Sequence, residues 1–392
     1  MTERRRDYLT RRRLLERAAV GGAAIAVPSW LAACGGIGGG GNGNGDAGGD
    51  DDRTPRNIQI SNWPLYIDID EETRRRPTIQ GFMDEYGVSV NYVEDVNDNN
   101  EYFARIQPAL SQGRGIDRDI MVLTDWMAAR LIRNEWVEPL DEEAMENKGN
   151  LVEALQSPNF DPERRFSMPW QSGMTGIGYN PELTGGEVTT IEQLLTDENL
   201  RGRVALLSEM PDTVGLVMLS NGDDPSQVEG GAFERAIQTI QQAVDRGQIR
   251  QFTGNEYSGM LARGELAACV AWSGDITQLQ LDNPDLRFAI PEDGAMLWTD
   301  NMLIPTGGHR YTASLFMDYV YRPEIAAQVA EYVNFISPVD GAQEEMRERD
   351  EELAEDPLIF PDEEMLANTH IFDAEAADNQ EYREQFQTLL GA

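Results

Sequence analysis

The chain of 392 residues is poor in lysine, histidine and cysteine. It contains one lysine, Lys148, two histidines and two cysteines. Its 69 acidic residues outnumber its 32 lysines and arginines, so the net charge is −37. Such a surface repels phosphates, which argues against a nucleic-acid-binding protein. His309 and His370 lie outside every candidate site motif, and the sequence indicates no catalytic nucleophile.

The acidic excess has two interpretations. Dense hydrated carboxylates keep a protein soluble in concentrated salt, where charges are strongly screened. Arginine carries nearly all of the positive charge, and this composition is typical of a halophilic protein. A cationic partner is the other interpretation. Because a halophilic surface accounts for most of the charge, net charge alone is weak evidence for a cationic ligand.

Residues 1–33 are predicted to be an export signal. Residues 10–15, TRRRLL, resemble the twin-arginine motif, residues 18–27 are apolar, and Leu31-Ala32-Ala33-Cys34 is typical of a lipoprotein cleavage site. The apolar segment is too short for a permanent membrane span, which disfavours an N-terminal anchor helix. The sequence therefore predicts twin-arginine export to the cell surface or periplasm, with a lipid on Cys34 as the only membrane anchor.

Residues 34–56, rich in Gly, Asn and Asp, are predicted to be a disordered tether between the lipid and the folded protein. The other cysteine, Cys269, lies in an apolar run. With no internal partner, it is predicted to be a small core residue.

From residue 57 the patterns of strands and helices alternate, which predicts an α/β lobe followed by a second lobe that begins near Gly173. Predicted strands cover residues 58–62, 88–93, 120–123, 176–180, 204–207 and 267–272. Predicted helices cover residues 78–86, 102–111, 126–133, 190–195, 213–220, 233–245, 257–262, 312–320 and 323–335.

One apolar run of strand character, bounded by Pro291 and Pro305, carries a tryptophan and a carboxylate. Trp298 and Asp300 are separated by one residue, so both side chains point to the same face of a strand. A buried carboxylate is costly unless a cation or hydrogen-bond donors meet it. Because the run contains no lysine or arginine, the sequence predicts a ligand cation at Asp300.

Other predicted strands also end next to aromatic and acidic residues, at the edge where α/β sheets place ligands. These candidates are Trp63 and Tyr66 after the first strand, Thr124 and Trp126 after the third, and Trp272 and Asp275 after the strand over 267–272. A half-buried pair of surface aromatics is an equally good interpretation of Trp63 and Tyr66. Repetition at one topological position favours an aromatic ligand wall.

Two acids follow the strand over 204–207. Glu209 and Asp212 could contact the ligand, but Asp212 is first interpreted as the N-cap of the next helix, a position that aspartate strongly favours. Trp170 and Tyr179 lie near the crossing between the lobes and are first interpreted as packing residues.

Six segments occur in a characteristic order. They are N-W-x-x-Y at 62–66, D-I-M-V at 119–122 followed by Trp126, M-P-W-Q-S-G-M-T-G-I-G-Y-N at 168–180, A-W-S-G-D at 271–275, W-T-D-N-M-L-I-P at 298–305 and Y-R-P-E-I-A-A-Q-V-A at 321–330. In this order and spacing the chain resembles the periplasmic spermidine/putrescine-binding proteins of ABC transporters, from residue 57 to its C-terminus.

The resemblance implies an α/β, two-lobed periplasmic-binding-protein-like fold with two crossover strands and a central ligand cleft. Lobe 1 would contain residues 57–172 and 298–345, and lobe 2 residues 173–297 and 346–392. By resemblance, Asp300 would bind one ammonium of a polyamine and Asp275 another amine. The methylenes would lie in an aromatic box formed by Trp63, Tyr66, Trp126, Trp272 and Trp298.

The chain departs from the family pattern at three points. A carboxylate expected near residues 210–213 falls on Met210 and Thr213, and Glu209 or Asp212 could replace it with a different reach. Pro64 stands where a small polar residue is usual, and a late glutamine contact falls near Phe372. These changes leave the fold prediction intact and leave the identity of the solute open.

We therefore expect a binding protein and not an enzyme, which delivers a putrescine- or spermidine-like cation to the membrane subunits of an ABC permease. It is expected to be a monomer without cofactor or metal. The alternative is the same fold with another amine, a thiamine-like ring or a sugar as solute. A third hypothesis is a hydrolase with Asp275 and Asp300 as an acid/base pair, which the lipoprotein signal and the lack of a proton-transfer constellation disfavour.

Overall fold

The computed structural model describes residues 53–70 and 72–391. The predicted signal peptide, Cys34 and most of the predicted tether lie outside the described residues. The strands are β1 (Ile58–Asn62), β2 (Val90–Glu94), β3 (Ile120–Thr124), β4 (Val137–Glu138), β5 (Ser167–Tyr179), β6 (Val204–Leu207), β7 (Ile249–Thr253), β8 (Ala268–Trp272), β9 (Arg287–Ala289), β10 (Ala295–Pro305) and β11 (Thr369–His370).

The helices surround this sheet. They are α1 (Pro77–Tyr86), α2 (Asn99–Leu110), α3 (Asp125–Arg133), α4 (Pro181–Thr184), α5 (Ile191–Thr196), α6 (Met210–Ser220), α7 (Ala232–Asp245), α8 (Glu256–Ala262), α9 (Ser273–Gln280), α10 (Arg310–Val320), α11 (Pro323–Val333), α12 (Ala342–Arg349), α13 (Glu351–Ala354), α14 (Glu363–Ala367), α15 (Ala374–Asp378) and α16 (Gln380–Leu390). Short 3₁₀ turns lie at Glu142–Ala144, Glu146–Asn150, Glu153–Leu155 and Glu198–Leu200. None of the helices within residues 53–70 and 72–391 has both the length and the apolar character that a membrane crossing requires.

The strands pair in the order β2-β1-β3-β10-β5-β8-β6-β7, with β4 and β11 beside β10 and β9 beside β5. Strands β1, β2 and β3 are parallel to one another, as are β6, β7 and β8. The two central strands β5 and β10 are antiparallel to each other and to β3, β4, β8 and β9, whereas β11 is parallel to β10. The fold therefore has two α/β lobes joined by two crossover strands, as predicted.

The two crossover strands pair with strands of different lobes. The end of β10 from Asp300 to Leu303 pairs with β3 of the first lobe, while the end of β5 from Thr175 to Tyr179 pairs with β8 of the second. All of β5 is buried. The hollow described below lies where these strands pass from one lobe to the other.

The helices pack on the sheet through faces that follow helical spacing. In α7 the buried residues include Phe233, Ala236, Ile240 and Ala243, which recur every three or four positions. In the first lobe, Phe82 of α1 packs edge-on against Phe316 of α10, with 5.2 Å between ring centroids. Each lobe thus has apolar contacts of its own.

The C-terminal segment touches elements of both lobes. Met346 and Ile359 pack on Ala327 and Ala330 of α11 in a small separate cluster. Further on, α15 pairs its Asp378 with Arg130 of α3, and the ring of Tyr382 in α16 stacks on Phe233 of α7 at 4.0 Å. The exact division of the chain into lobes remains a prediction.

Every strand and helix predicted from the sequence is present, with ends that differ by a few residues. The largest difference is β5, which begins at Ser167 and not at residue 176. Pro169 has no backbone N–H and argues against a central strand. The strand accommodates it beside a bulge, because Asp300 pairs with Gln171 while Asn301 pairs with Pro169, which leaves Trp170 unpaired.

Candidate functional site

A hollow lies between the lobes, at the carboxyl ends of β1, β3 and β8 and beside β10. All of the ten binding residues predicted from the sequence except Trp126 line it. The lining residues are Trp63, Pro64, Tyr66, Asn99, Thr124, Glu209, Asp212, Asn255, Trp272, Asp275, Trp298, Asp300 and Phe335.

Trp298 and Asp300 reach the hollow from the same face of β10, as their spacing predicts. Trp298 lies opposite Gly173 of β5, and a Cβ on that glycine would lie 2.5 Å from the indole ring. The missing side chain therefore makes room for the indole. The bulge at Trp170 directly follows the pair formed by Asp300, where bulges commonly redirect functional side chains.

Five aromatic rings form a continuous wall. Ring centroids are separated by 6.1 Å between Trp63 and Trp272, by 6.3 Å between Trp272 and Trp298, and by 5.6 Å between Trp298 and Phe335. Phe335 then meets Tyr66 at 5.2 Å. These edge-on and tilted contacts are favourable geometries for aromatic pairs. The wall combines rings from both lobes and from a crossover strand.

The carboxylates of the hollow are held by neutral donors. Thr124 Oγ1 donates to Asp300 Oδ1 at 2.7 Å, and Tyr257 OH donates to Asp275 Oδ2 at 2.6 Å. Thr175 donates to Asp212. Glu209 Oε1 accepts from the backbone N–H of Asn99 at 2.8 Å, while Glu209 Oε2 has no hydrogen-bond partner.

Burial strongly perturbs the pKa values of Asp300, Asp212 and Glu209. Desolvation raises the pKa of Asp300 from 3.8 to about 7, although the Thr124 hydroxyl lowers it, and desolvation raises that of Asp212 to about 6. The pKa of Glu209 is raised well above its usual value by burial first and then by the charge of Asp98. Within residues 53–70 and 72–391, no arginine or lysine pairs with Glu209, Asp212 or Asp300.

Asp212 does not cap a helix, so the first interpretation of this residue was wrong. Helix α6 begins at Met210, and its N-cap position is occupied by Glu209 without a side-chain capping bond. Pro211 occupies the first turn, where proline is favoured, so the helix starts earlier than the aspartate suggested. Asp212 consequently lies inside the first turn and directs its carboxylate to Thr175.

Trp126 lies in an adjoining hollow, here called the outer hollow, which shares Thr124, Asp212 and Trp298 with the first. The guanidinium carbon of Arg130 lies over the Trp126 ring, 5.2 Å from the ring centroid. Phe372, at the position of the expected glutamine contact, lines the same outer hollow. Trp126 is therefore separate from the wall formed by the other four predicted aromatic residues and Phe335.

The sequence interpretation missed Asn99, Asn255 and Phe335. Asn99 follows Asp98, which caps α2 through the N–H groups of Asn100 and Glu101, so its segment carries a clear helix-start signal. Phe335 follows Asn334, whose left-handed φ of 57° ends α11 two residues before the predicted end. Trp170 packs as expected, because its Nε1 donates to the backbone oxygen of Tyr66 at 3.1 Å.

The described residues contain no group of three or more His, Cys, Asp or Glu side chains arranged to hold a metal ion. Cys269 is fully buried, and burial raises the pKa of its thiol. The hollow thus offers two kinds of contact, aromatic faces and carboxylates, and both suit an organic cation.

Two α/β lobes, two crossover strands and a hollow between the lobes define a solute-binding protein. The chain belongs to the family of bacterial extracellular solute-binding proteins, whose family model matches residues 78–361. This assignment agrees with the resemblance found in the sequence motifs.

Individual relatives agree with the family assignment. The chain is 26% identical over 325 residues to the putrescine-binding periplasmic protein PotF of Escherichia coli (strain K12), covering 78% of this chain and 83% of PotF. It is 22% identical over 317 residues to the spermidine/putrescine-binding periplasmic protein 1 of Haemophilus influenzae, covering 80% and 86% of the two chains.

A solved structure from Listeria monocytogenes, described as a spermidine/putrescine ABC transporter, superposes with a TM-score of 0.74 at 26% identity. The superposition covers 85% of this chain and 98% of that one. The resemblance to spermidine/putrescine-binding proteins and the two-lobed fold are therefore confirmed.

Proposed function

We propose that this protein is the solute-binding component of an ABC importer and that it captures a putrescine- or spermidine-like polyamine in the hollow between its lobes. The observation that carries the proposal is the set of buried acids, Glu209, Asp212 and Asp300, which have no cationic partner among the described residues. Burying such groups without a counter-charge is unfavourable, so the site is suited to a cation that arrives with the ligand.

The aromatic wall supports an elongated and partly apolar cation. The methylenes of a polyamine gain from contact with Trp63, Trp272 and Trp298, and an ammonium over a ring face gains roughly 0.5–2 kcal/mol. Asp300 on the crossover strand and Asp275 at the start of α9 would each receive an amine through charge-assisted hydrogen bonds. The separation of these carboxylates would then select the spacing between the amines.

Closure of the lobes would complete the site. Trp63 and Tyr66 follow a strand of the first lobe, whereas Trp272 and Asp275 follow a strand of the second. A ligand that contacts both sets favours the closed arrangement by its differential affinity, and the permease would recognise this arrangement. The predicted twin-arginine signal would export the protein, and the lipid on Cys34 would hold it at the cell surface or periplasm, near that permease.

Isothermal titration of the purified chain in molar salt tests the proposal. Putrescine and spermidine are the test ligands, and butane-1,4-diol is the matched control, because it has the carbon chain of putrescine without its charges. Saturable one-to-one binding of a polyamine and no binding of the diol are expected. Thiamine and neutral sugars test the alternative solutes. Absence of heat with every polyamine would overturn the proposal.

A further inference from the structure

A short segment between β2 and α2 of the first lobe contacts the second lobe at the edge of the hollow. Asn99 donates both its backbone N–H and its side-chain Nδ2 to Glu209 Oε1, at 2.8 and 3.0 Å. Next to this pair, Ser208 Oγ donates to Asp98 Oδ2 at 2.9 Å. Asn255 Nδ2 donates to the backbone oxygen of Asn97 at 3.2 Å. These bonds cross between the lobes, so they form only when this edge is closed.

The side-chain amide of Asn99 makes three hydrogen bonds, two through Nδ2 and one through Oδ1. Besides the bond to Glu209, Nδ2 donates to Thr124 Oγ1 at 2.9 Å, and Oδ1 accepts from the backbone N–H of Thr124 at 3.2 Å. Thr124 Oγ1 then donates to Asp300 Oδ1 at 2.7 Å. An unbroken series of hydrogen bonds therefore connects Glu209 of the second lobe with Asp300 of the crossover strand.

Glu209 is only half satisfied by these contacts. Its side chain lines the hollow, the residue is 2% exposed, and Oε2 has no hydrogen-bond partner. The charged groups that face Glu209 are the carboxylates of Asp98 and Asp212, and both oppose its ionisation. Asp275 and Asp300 line the same hollow. A buried acceptor in this position is left for a donor from the ligand.

We propose that Asn99 is a positioning residue of the ligand site, which clasps Oε1 of Glu209 across the lobes and so leaves Oε2 for a ligand cation. The inference rests on the proposed function. A cation at Oε2 stabilises the ionised carboxylate, and an ionised carboxylate accepts the two Asn99 bonds more strongly. Ligand binding and closure of this edge therefore stabilise each other through the Glu209 side chain, because each favours its ionised form.

The binding test compares the parent with Asn99→Ala, with putrescine as ligand, between pH 5 and pH 9. Asn100→Ala is the matched control, because Asn100 is the next residue of the same helix and the hydrogen bonds to Glu209 come from Asn99. We expect Asn99→Ala to weaken putrescine binding by about tenfold or more, since it removes a hydrogen bond to a charged group. The control should bind as the parent does.

The pH dependence of putrescine binding distinguishes a positioning role of Asn99 from general damage to the fold. The side-chain hydrogen bond from Asn99 lowers the pKa of Glu209, so its loss should move the pH midpoint of binding upward. In a Glu209→Gln background, Asn99→Ala should cause no such upward shift, because the titrating group is gone. Equal affinities and midpoints for Asn99→Ala and Asn100→Ala would refute the inference.

A measurement without ligand separates this inference from the proposed function. Small-angle scattering of the ligand-free proteins should give a larger radius of gyration for Asn99→Ala than for Asn100→Ala, because the side-chain bond to Glu209, one of the two that Asn99 donates across this edge, is lost. Should the parent bind no polyamine, the proposed function fails while the clasp is still judged by this comparison. Equal radii would reject the clasp in either case.

Discussion

Replacement of Asp300 by asparagine should change ligand affinity and stability in opposite directions. The substitution keeps the shape of the side chain and an oxygen that can accept from Thr124, but it removes the charge. Burial raises the pKa of Asp300 from 3.8 to about 7, a difference of about three units. At 1.36 kcal/mol per unit, the ionised carboxylate costs the ligand-free fold on the order of 4 kcal/mol at alkaline pH.

The same charge is what an ammonium would pair with inside the hollow. Loss of one partner from a buried charged pair costs about 2–5 kcal/mol, which corresponds to roughly 30-fold or more in affinity. Asp300→Asn should therefore bind putrescine at least about 30-fold more weakly at pH 8. At this pH the ligand-free variant should resist urea better than the parent.

Calorimetric titration and urea unfolding at pH 8 measure the two effects on the same samples. Asp282→Asn is the control, because it removes the same charge from an exposed loop. It should alter neither affinity nor stability appreciably. An Asp300→Asn protein that binds as tightly as the parent, or that is less stable without ligand, would contradict the assignment of Asp300 as an uncompensated ligand-binding acid.

Three further predictions concern the same hollow. Gly173→Ala should weaken polyamine binding in a calorimetric titration, because the new Cβ would lie 2.5 Å from the Trp298 ring. The secondary structure, followed by circular dichroism, should be retained. Unchanged affinity would show that the indole can move freely. Trp298→Ala should weaken putrescine binding by about tenfold, whereas Trp126→Ala, in the outer hollow, should weaken it much less. Equal losses of affinity would place Trp126 in the aromatic wall. The free energy of unfolding of the ligand-free protein should fall as the pH rises from about 4 to about 7, because the raised pKa values of Asp212 and Asp300 make the folded state bind more protons than the unfolded state. In urea unfolding, the difference in stability between pH 5 and pH 8 should be smaller for an Asp212→Asn/Asp300→Asn variant than for the parent. An unchanged difference would refute this origin.

The sequence predicted the strands and helices well because their patterns are local. The strand at Ile58–Asn62 begins with isoleucines that alternate with a polar residue, and the helix at Ala232–Asp245 has its buried residues at helical spacing. The first half of β5 was missed because two serines, a proline and a glycine interrupt its apolar residues. Its strand conformation depends on pairing with β10, which is more than a hundred residues away in the chain.

The site could be predicted in part for the same reason. Trp298 and Asp300 share a face by spacing alone, and the positions of Trp63 and Trp272 after strands place them at one edge of the sheet. Asn99 could not be recognised, since its importance comes from Glu209 and Thr124, which lie in other parts of the chain. Trp126 follows a strand just as Trp272 does, yet its helix directs the ring into the outer hollow.

The many surface acids and the few buried acids should respond differently to salt, and this difference bears on how the site recognises a ligand. Exposed carboxylates attract any cation, but at about 1 M salt the screening length is near 3 Å, so this attraction is almost abolished. Glu209, Asp212 and Asp300 are at most 9% exposed and are little affected by such screening. In a protein with a net charge of −37, the proposed selectivity for one organic cation would therefore depend on desolvated contacts in the hollow, where aromatic faces and acids act together and inorganic ions would lose more hydration than they regain.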